Sequence, residues 1–190
     1  MTGTSEPLTY ATYLQIDQLL DLQIPQSDPA EHDETLFIII HQVYELWFKQ
    51  ILHELDRAGD RFRENDLWGV TNLLKRVRMI LKTLVGQVDI LETMTPQSFE
   101  SFRNRLDTAS GFQSMQFREL EFRLGLKRAE VLKFMPKGMA GREAALARLD
   151  EPSLVDDFHC FLAARGFPIP EDLLNRDLRA RGEADERVQD

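Results

Sequence analysis

The sequence predicts an all-α protein, a helical bundle built around two long antiparallel helices. Three observations predict it. Apolar residues recur at steps of three and four through two long windows, 28–62 and 65–92. Polar caps and prolines stand where those windows open, and glycines stand where shorter helical stretches should stop. No alternating β-branched run is flanked by hairpin turns, so nothing in the chain reads as a sheet.

Taken in order, Leu8 to Leu22 spaces Tyr13, Ile16 and Leu20 for a first short helix. A loop with Pro25 follows. Asp28-Pro29 reads as an N-cap with proline at the first helical position, opening a long helix that runs to Phe62. Its expected buried stripe is Leu36, Ile40, Val43, Trp47, Ile51 and Leu55. A second long helix is predicted from Asn65 to Glu92, with Leu67, Val70, Leu74, Val77, Leu81, Leu84, Val88 and Leu91 inward. Thr95-Pro96 opens the next helix. Asp107 to Gly111 breaks the pattern, and Phe112 to Leu124 resumes it until Gly125. Shorter pieces are expected at 128–134 and 141–149, and an amphipathic helix from Ser153 to Arg165 ends at Gly166 and Pro168. One domain is expected over 1–174. The charged stretch 175–190 is expected to fray.

Composition narrows the function classes. The net charge of −9 argues against nucleic acid, whose phosphates want a basic face. The single cysteine, Cys160, allows no intrachain disulfide and no Cys-rich metal site, which suits a reducing, cytoplasmic setting. No apolar stretch reaches membrane-spanning length, and the first residues lack the pattern of a signal peptide.

Two pairs carry the chemistry that spacing suggests. Phe37 and His41 are four apart, as are Phe99 and Arg103, so each pair shares a helix face. If the faces meet, they form an apolar slot with one imidazole and one guanidinium, suited to a flat aromatic ligand bearing a carboxylate. Taken singly, His41 is more often a core histidine, Arg103 more often a surface ion pair, and the two phenylalanines core. Metal spacing is poor. None of the four histidines has Glu three residues before it, as a di-iron bundle would want, and Asp156-x-x-His159 is the nearest approach. No metal site is expected from protein side chains alone.

Four runs resemble a known family, the tryptophan 2,3-dioxygenases. They are Leu8–Asp17, Phe37–Leu55 (FIIIHQVYELWFKQILHEL), Val88–Pro96 and Ala109–Phe122. The resemblance implies a helical, cytoplasmic, homotetrameric enzyme that uses haem b. It implies insertion of both atoms of dioxygen across the indole C2–C3 bond of L-tryptophan, giving N-formyl-L-kynurenine, the step that opens tryptophan catabolism by the kynurenine pathway. By the same resemblance His41 is the catalytic residue, accepting the indole N–H. The run Phe37, Ile38, Ile39, Ile40 and His41 contacts substrate together with Phe99, and Arg103 takes the carboxylate. Tyr10 and Tyr13 reach into a neighbouring subunit's pocket. Leu106, Ala109, Ser110 and Gly111 lie by the haem. The family's proximal histidine sits further along than the residues here, and His32, His53 and His159 do not match it, so the proximal ligand is expected outside this chain. The sequence is then expected to be an incomplete form of the enzyme. The competing reading is a non-catalytic helical binding or oligomerisation module of the same descent.

Overall fold

The computed structural model describes residues 7–182 and 185–188, and among these every regular element is helical. The first predicted helix is two. α1 (Tyr10–Leu14) and α2 (Ile16–Leu20) are separated by Gln15, whose φ of 53° is left-handed. Gln15 closes α1 with its backbone N–H on Ala11 O and its side-chain amide on Thr12 O, so the break is itself a satisfied cap. Neither helix buries a residue, so no tertiary packing holds them in one line.

The long helix α3 (His32–Arg63) begins three residues later than Pro29, and Asp28 caps nothing. The reason is Glu34. Its fully buried carboxylate accepts the Gln26 N–H at 2.6 Å, the Ser27 N–H at 3.1 Å and the Ser27 hydroxyl. Ser27 Oγ in turn accepts the Glu31 N–H at 2.9 Å. A carboxylate in the first turn also suits the helix dipole. The loop is therefore wound over the helix end by Glu34.

α3 is about 48 Å long at 1.5 Å per residue. α4 (Leu67–Leu91), capped by Asp66 on the Gly69 N–H, runs back along it. Three contacts fix the antiparallel sense. Tyr44 Oη donates to Leu84 O at 2.6 Å, Arg76 pairs with Glu54 at 2.8 Å, and Phe62 packs in one cluster with Val70. Between them lie Ile51, Leu52, Leu55, Val77, Ile80 and Leu84, joined by Leu120. The stripe on α4 is narrower than its pattern suggested. Leu67, Leu81 and Val88 are exposed while Ile80 is buried, because α3 covers one side of α4 and is its main partner among the described residues.

The remaining helices are α5 (Pro96–Arg103, capped by Thr95), α6 (Met115–Arg123, capped by Ser114), α7 (Arg142–Asp150), α8 (Leu154–Ala164, boxed by Ser153 and Asp156) and α9 (Glu171–Leu174). Of these, α5, α6 and α8 pack on α3, while α7 packs on α6 and α9 on α8. A 3₁₀ turn (Gly111–Gln113) precedes α6, so the helix resumes at Met115 rather than Phe112. A second, Ala129–Phe134, links α6 to α7. Gly125 takes φ +101° at the end of α6, as a helix stop there requires.

One ion pair joins three of these helices. Arg123 of α6 donates to Leu55 O of α3, to Pro152 O and to Asp157 of α8, at 3.1, 3.0 and 2.7 Å. Its guanidinium lies over Gly59 of α3, where no side chain intervenes. Arg63 also reaches Asp157, and Arg148 holds Asp56. Further along, Arg176 grips Asp156, with Nη2 at 2.8 Å from Oδ2, and the Gly182 N–H bonds Gly125 O.

Candidate functional site

One face of α3 carries Phe37, His41, Tyr44 and Phe48 at steps of four, three and four. His41 Nδ1 lies 2.7 Å from Phe37 O, the carbonyl one turn earlier. A carbonyl can only accept, so Nδ1 donates this bond, and the tautomer it selects presents Nε2 as the acceptor. Nε2 faces the Ser110–Gly111 turn. A methyl group built on Gly111 would lie 3.9 Å from it, so no side chain stands between the imidazole and that turn.

Beside the imidazole opens a cleft of about 800 Å³. α3 contributes Ile40, His41, Tyr44, Glu45 and Phe48 to one wall. The 110–114 turn and α6 contribute Phe112, Phe117, Arg118 and Glu121, and the segment 128–135 adds Arg128, Val131, Phe134 and Met135. Apolar rings dominate. Phe112 is 80% exposed and Phe134 is 84% exposed, so two large rings stand uncovered at the rim. An apolar cleft of this size with a few convergent polar groups is the ordinary form of a small-ligand site.

The two predicted i, i+4 faces do meet. The Phe37 and Phe99 rings are 5.6 Å apart, and Phe102, fully buried, stands 5.6 Å from the first and 5.5 Å from the second. Phe37 also lies against His41, with ring centroids 4.2 Å apart. Arg103 follows on α5, half-buried, with Nη1 donating to Asp107 O at 3.2 Å and no carboxylate partner among the described residues. Ile40, His41, Ser110 and Gly111 thus line the cleft, while Phe37, Phe99 and Arg103 form an adjoining group behind it.

The sequence matches the family model described as tryptophan 2,3-dioxygenase over residues 2–179. The tryptophan 2,3-dioxygenase of Herpetosiphon aurantiacus is 53% identical over 174 residues, which is 92% of this chain and 66% of that protein. Those of a Nocardioides species and of Xanthomonas campestris are 52% and 41% identical, covering 87% and 96% of this chain and 64% and 61% of their own lengths. The chain belongs to the tryptophan 2,3-dioxygenase family. It spans somewhat under two thirds of the length of these relatives.

The other residues that family resemblance singled out are dispersed. Tyr10 and Tyr13 are 78% and 69% exposed on α1. Ile39 is exposed and Ile38 half-buried, both turned away from the cleft lining. Leu106 is half-buried in the turn after α5, its N–H on Arg103 O, and the Ala109 N–H bonds Leu106 O. Among the described residues no group of three or more His, Cys, Asp or Glu could hold a metal ion, and no helix is long and apolar enough to cross a membrane. Sequence reasoning missed several lining residues. Tyr44 and Phe48 continue the His41 face at helical spacing and were readable on that ground. Arg118, Glu121 and Arg128 carried no such signal, because their convergence depends on the turn between α6 and the segment after it.

Proposed function

We propose that this chain forms the substrate-facing side of a haem-dependent tryptophan 2,3-dioxygenase site, converting L-tryptophan and dioxygen to N-formyl-L-kynurenine. The observation that carries the reading is the 2.7 Å contact between His41 Nδ1 and Phe37 O. With Nδ1 donating to Phe37 O, Nε2 is an acceptor aimed into an apolar cleft, the partner an indole N–H needs. The rings of Phe37, Phe99 and Phe102 give the indole an apolar flank. Arg103, with no carboxylate partner among the described residues, is the group for the amino acid's own carboxylate, through two parallel hydrogen bonds. Holding the indole at both ends fixes its C2–C3 edge, and fixed geometry of this kind lowers a barrier by removing the entropy of alignment.

The cleft fits haem b. It has room at about 800 Å³, is walled by Phe48, Phe112, Phe117 and Phe134, and has the guanidiniums of Arg118 and Arg128 in its lining. Bound haem supplies the dioxygen chemistry, while the protein supplies binding and orientation. Ser110 and Gly111 leave close backbone access beside His41. His41 is the one histidine lining the cleft among the described residues, and its Nε2 is engaged by the indole. Exposed Tyr10 and Tyr13 are assigned to a neighbouring subunit's site in a homotetramer, and the enzyme to the cytoplasm.

The test uses L-tryptophan and its 1-methyl derivative, which lacks the indole N–H. Calorimetry should show the parent binding more tightly, and His41→Ala should erase the difference. Equal affinity of the unsubstituted protein for both would overturn the role of His41.

A further inference from the structure

The first turn of α6 is tied to α3 one turn beyond His41. Gln116 Nε2 donates to the Glu45 backbone carbonyl at 2.9 Å and to Glu45 Oε2 at 2.7 Å. Both amide hydrogens are then in use, and Gln116 is the one hydrogen-bond partner of the Glu45 carboxylate among the described residues. Glu45 lines the cleft on the same helix face as His41, whereas Gln116 stands behind the lining. At the other end of α6, Arg123 holds Leu55 O. Between these ends α6 meets α3 through apolar groups, with the Phe48 and Phe117 rings 5.5 Å apart and Leu120 in the core. Apolar contact is non-directional, so the polar ties at the two ends set where α6 lies along α3. The turn beside His41 follows α6. The Gln113 N–H bonds Ser110 O at 2.9 Å, the Ser114 N–H bonds Gly111 O at 3.2 Å, and the Phe117 N–H bonds Ser114 Oγ at 3.1 Å. Residues 110–117 are thus one hydrogen-bonded unit, and the space between the Gly111 turn and His41 Nε2 moves with the first turn of α6.

We propose that Gln116, through its paired bonds to Glu45, is a positioning residue for His41, holding the Ser110–Gly111 turn at the distance that leaves Nε2 open to the indole N–H. The inference rests on the reading that Nε2 accepts that N–H. Gln116 touches no ligand in the cleft and acts through the turn. A slot for a flat ring tolerates little change in width, and a remote displacement of about 1 Å can cost on the order of a hundredfold in rate.

The experiment measures by calorimetry the affinity of the 190-residue chain for L-tryptophan and for its 1-methyl derivative. Nitrogen NMR of the chain carrying isotope-labelled histidine runs beside it, with the His41 signals assigned by their loss in His41→Ala. The unsubstituted chain should favour tryptophan by roughly tenfold, the size of one hydrogen bond, and its Nε2 signal should move on binding. Gln116→Met removes both bonds at similar side-chain length. It should bring the affinity ratio close to one and leave the Nε2 signal unmoved, with Nδ1 still protonated against Phe37 O. Exchanging the partners, Glu45→Gln with Gln116→Glu, rebuilds an amide–carboxylate pair across the same gap and should restore most of the ratio. An unchanged ratio in Gln116→Met, an equal loss for both ligands, or an exchange that leaves the ratio at one each overturns the proposal. Where Gln116→Met does not fold, Glu45→Gln alone decides: it keeps the backbone bond, weakens the side-chain one and should lower the ratio, and no change there overturns the proposal as well. If the unsubstituted chain binds both ligands equally, the His41 reading falls and this inference with it. If it discriminates and the variants discriminate as well as it does, the His41 reading stands and this inference alone falls.

Discussion

A methyl group at position 59 would lie 2.1 Å from Arg123 Nη2 and 2.5 Å from Asp157 Oδ2. Both partners are about 95% buried, so neither can swing out to make room without leaving a charge alone in the interior. Breaking a buried pair of this kind costs about 3–5 kcal/mol, and Gly59→Ala should approach that loss in urea unfolding. A change within about 0.5 kcal/mol, as at an ordinary surface site, would show that the guanidinium can rest elsewhere. Arg103 poses the opposite case, a guanidinium that among the described residues holds only a carbonyl. In the haem-loaded protein, Arg103→Ala should weaken tryptophan binding by about 2–5 kcal/mol if it meets the carboxylate in a desolvated site. Tryptamine binding should barely change. Equal losses for both ligands would move the carboxylate role from Arg103 to another residue.

The start of α3 makes a pH-dependent prediction. Burial pushes the Glu34 carboxyl up, but the hydrogen bonds from Gln26 and Ser27 outweigh it and hold it below its ordinary range. A carboxyl with a lower value folded than unfolded contributes stability above its unfolded value of about 4.3, and loses it as pH falls through the folded one. Thermal melts across that acid range should therefore fall more steeply for the unsubstituted chain than for Glu34→Gln. Asp156 behaves alike: burial raises it, and the Arg176 and Ser153 hydrogen bonds bring it below the usual range. The difference between the two chains isolates Glu34 because Asp156 is common to both. Glu34 also marks where the sequence was hard to read. Asp28-Pro29 obeyed the local capping rule, yet a carboxylate six residues on, recruited from inside the helix, decided the boundary. By contrast Thr95-Pro96 and Gly125 read correctly, since their caps close within three or four residues. The Phe37–His41 face was legible for the same local reason. The Arg118–Glu121–Arg128 cluster was not, and neither was the Arg176–Asp156 pair, because each needs a turn whose path the sequence does not spell out.

Across the whole molecule, α4 and α1 leave apolar side chains uncovered: Leu81, Val85 and Val88 on one, Tyr10 and Tyr13 on the other. Contiguous exposure of this kind favours association. Sedimentation velocity should show species larger than a monomer, and Tyr10→Ser with Tyr13→Ser should shift the population downward if α1 is part of the contact. An unchanged distribution would take α1 out of it. The Arg123 joint has a separate consequence in time. α3 and α4 are joined by a three-residue turn, so their contact closes early and locally. Arg123 reaches back 68 residues to Leu55 and forward 34 to Asp157, so its bonds tie α6 and α8 to α3 as one cooperative joint. α6 is also the second wall of the cleft. Amide exchange should thus find α6 and α8 opening as one unit while α3 and α4 stay protected, and a ligand seated against both walls should slow exchange most in α6.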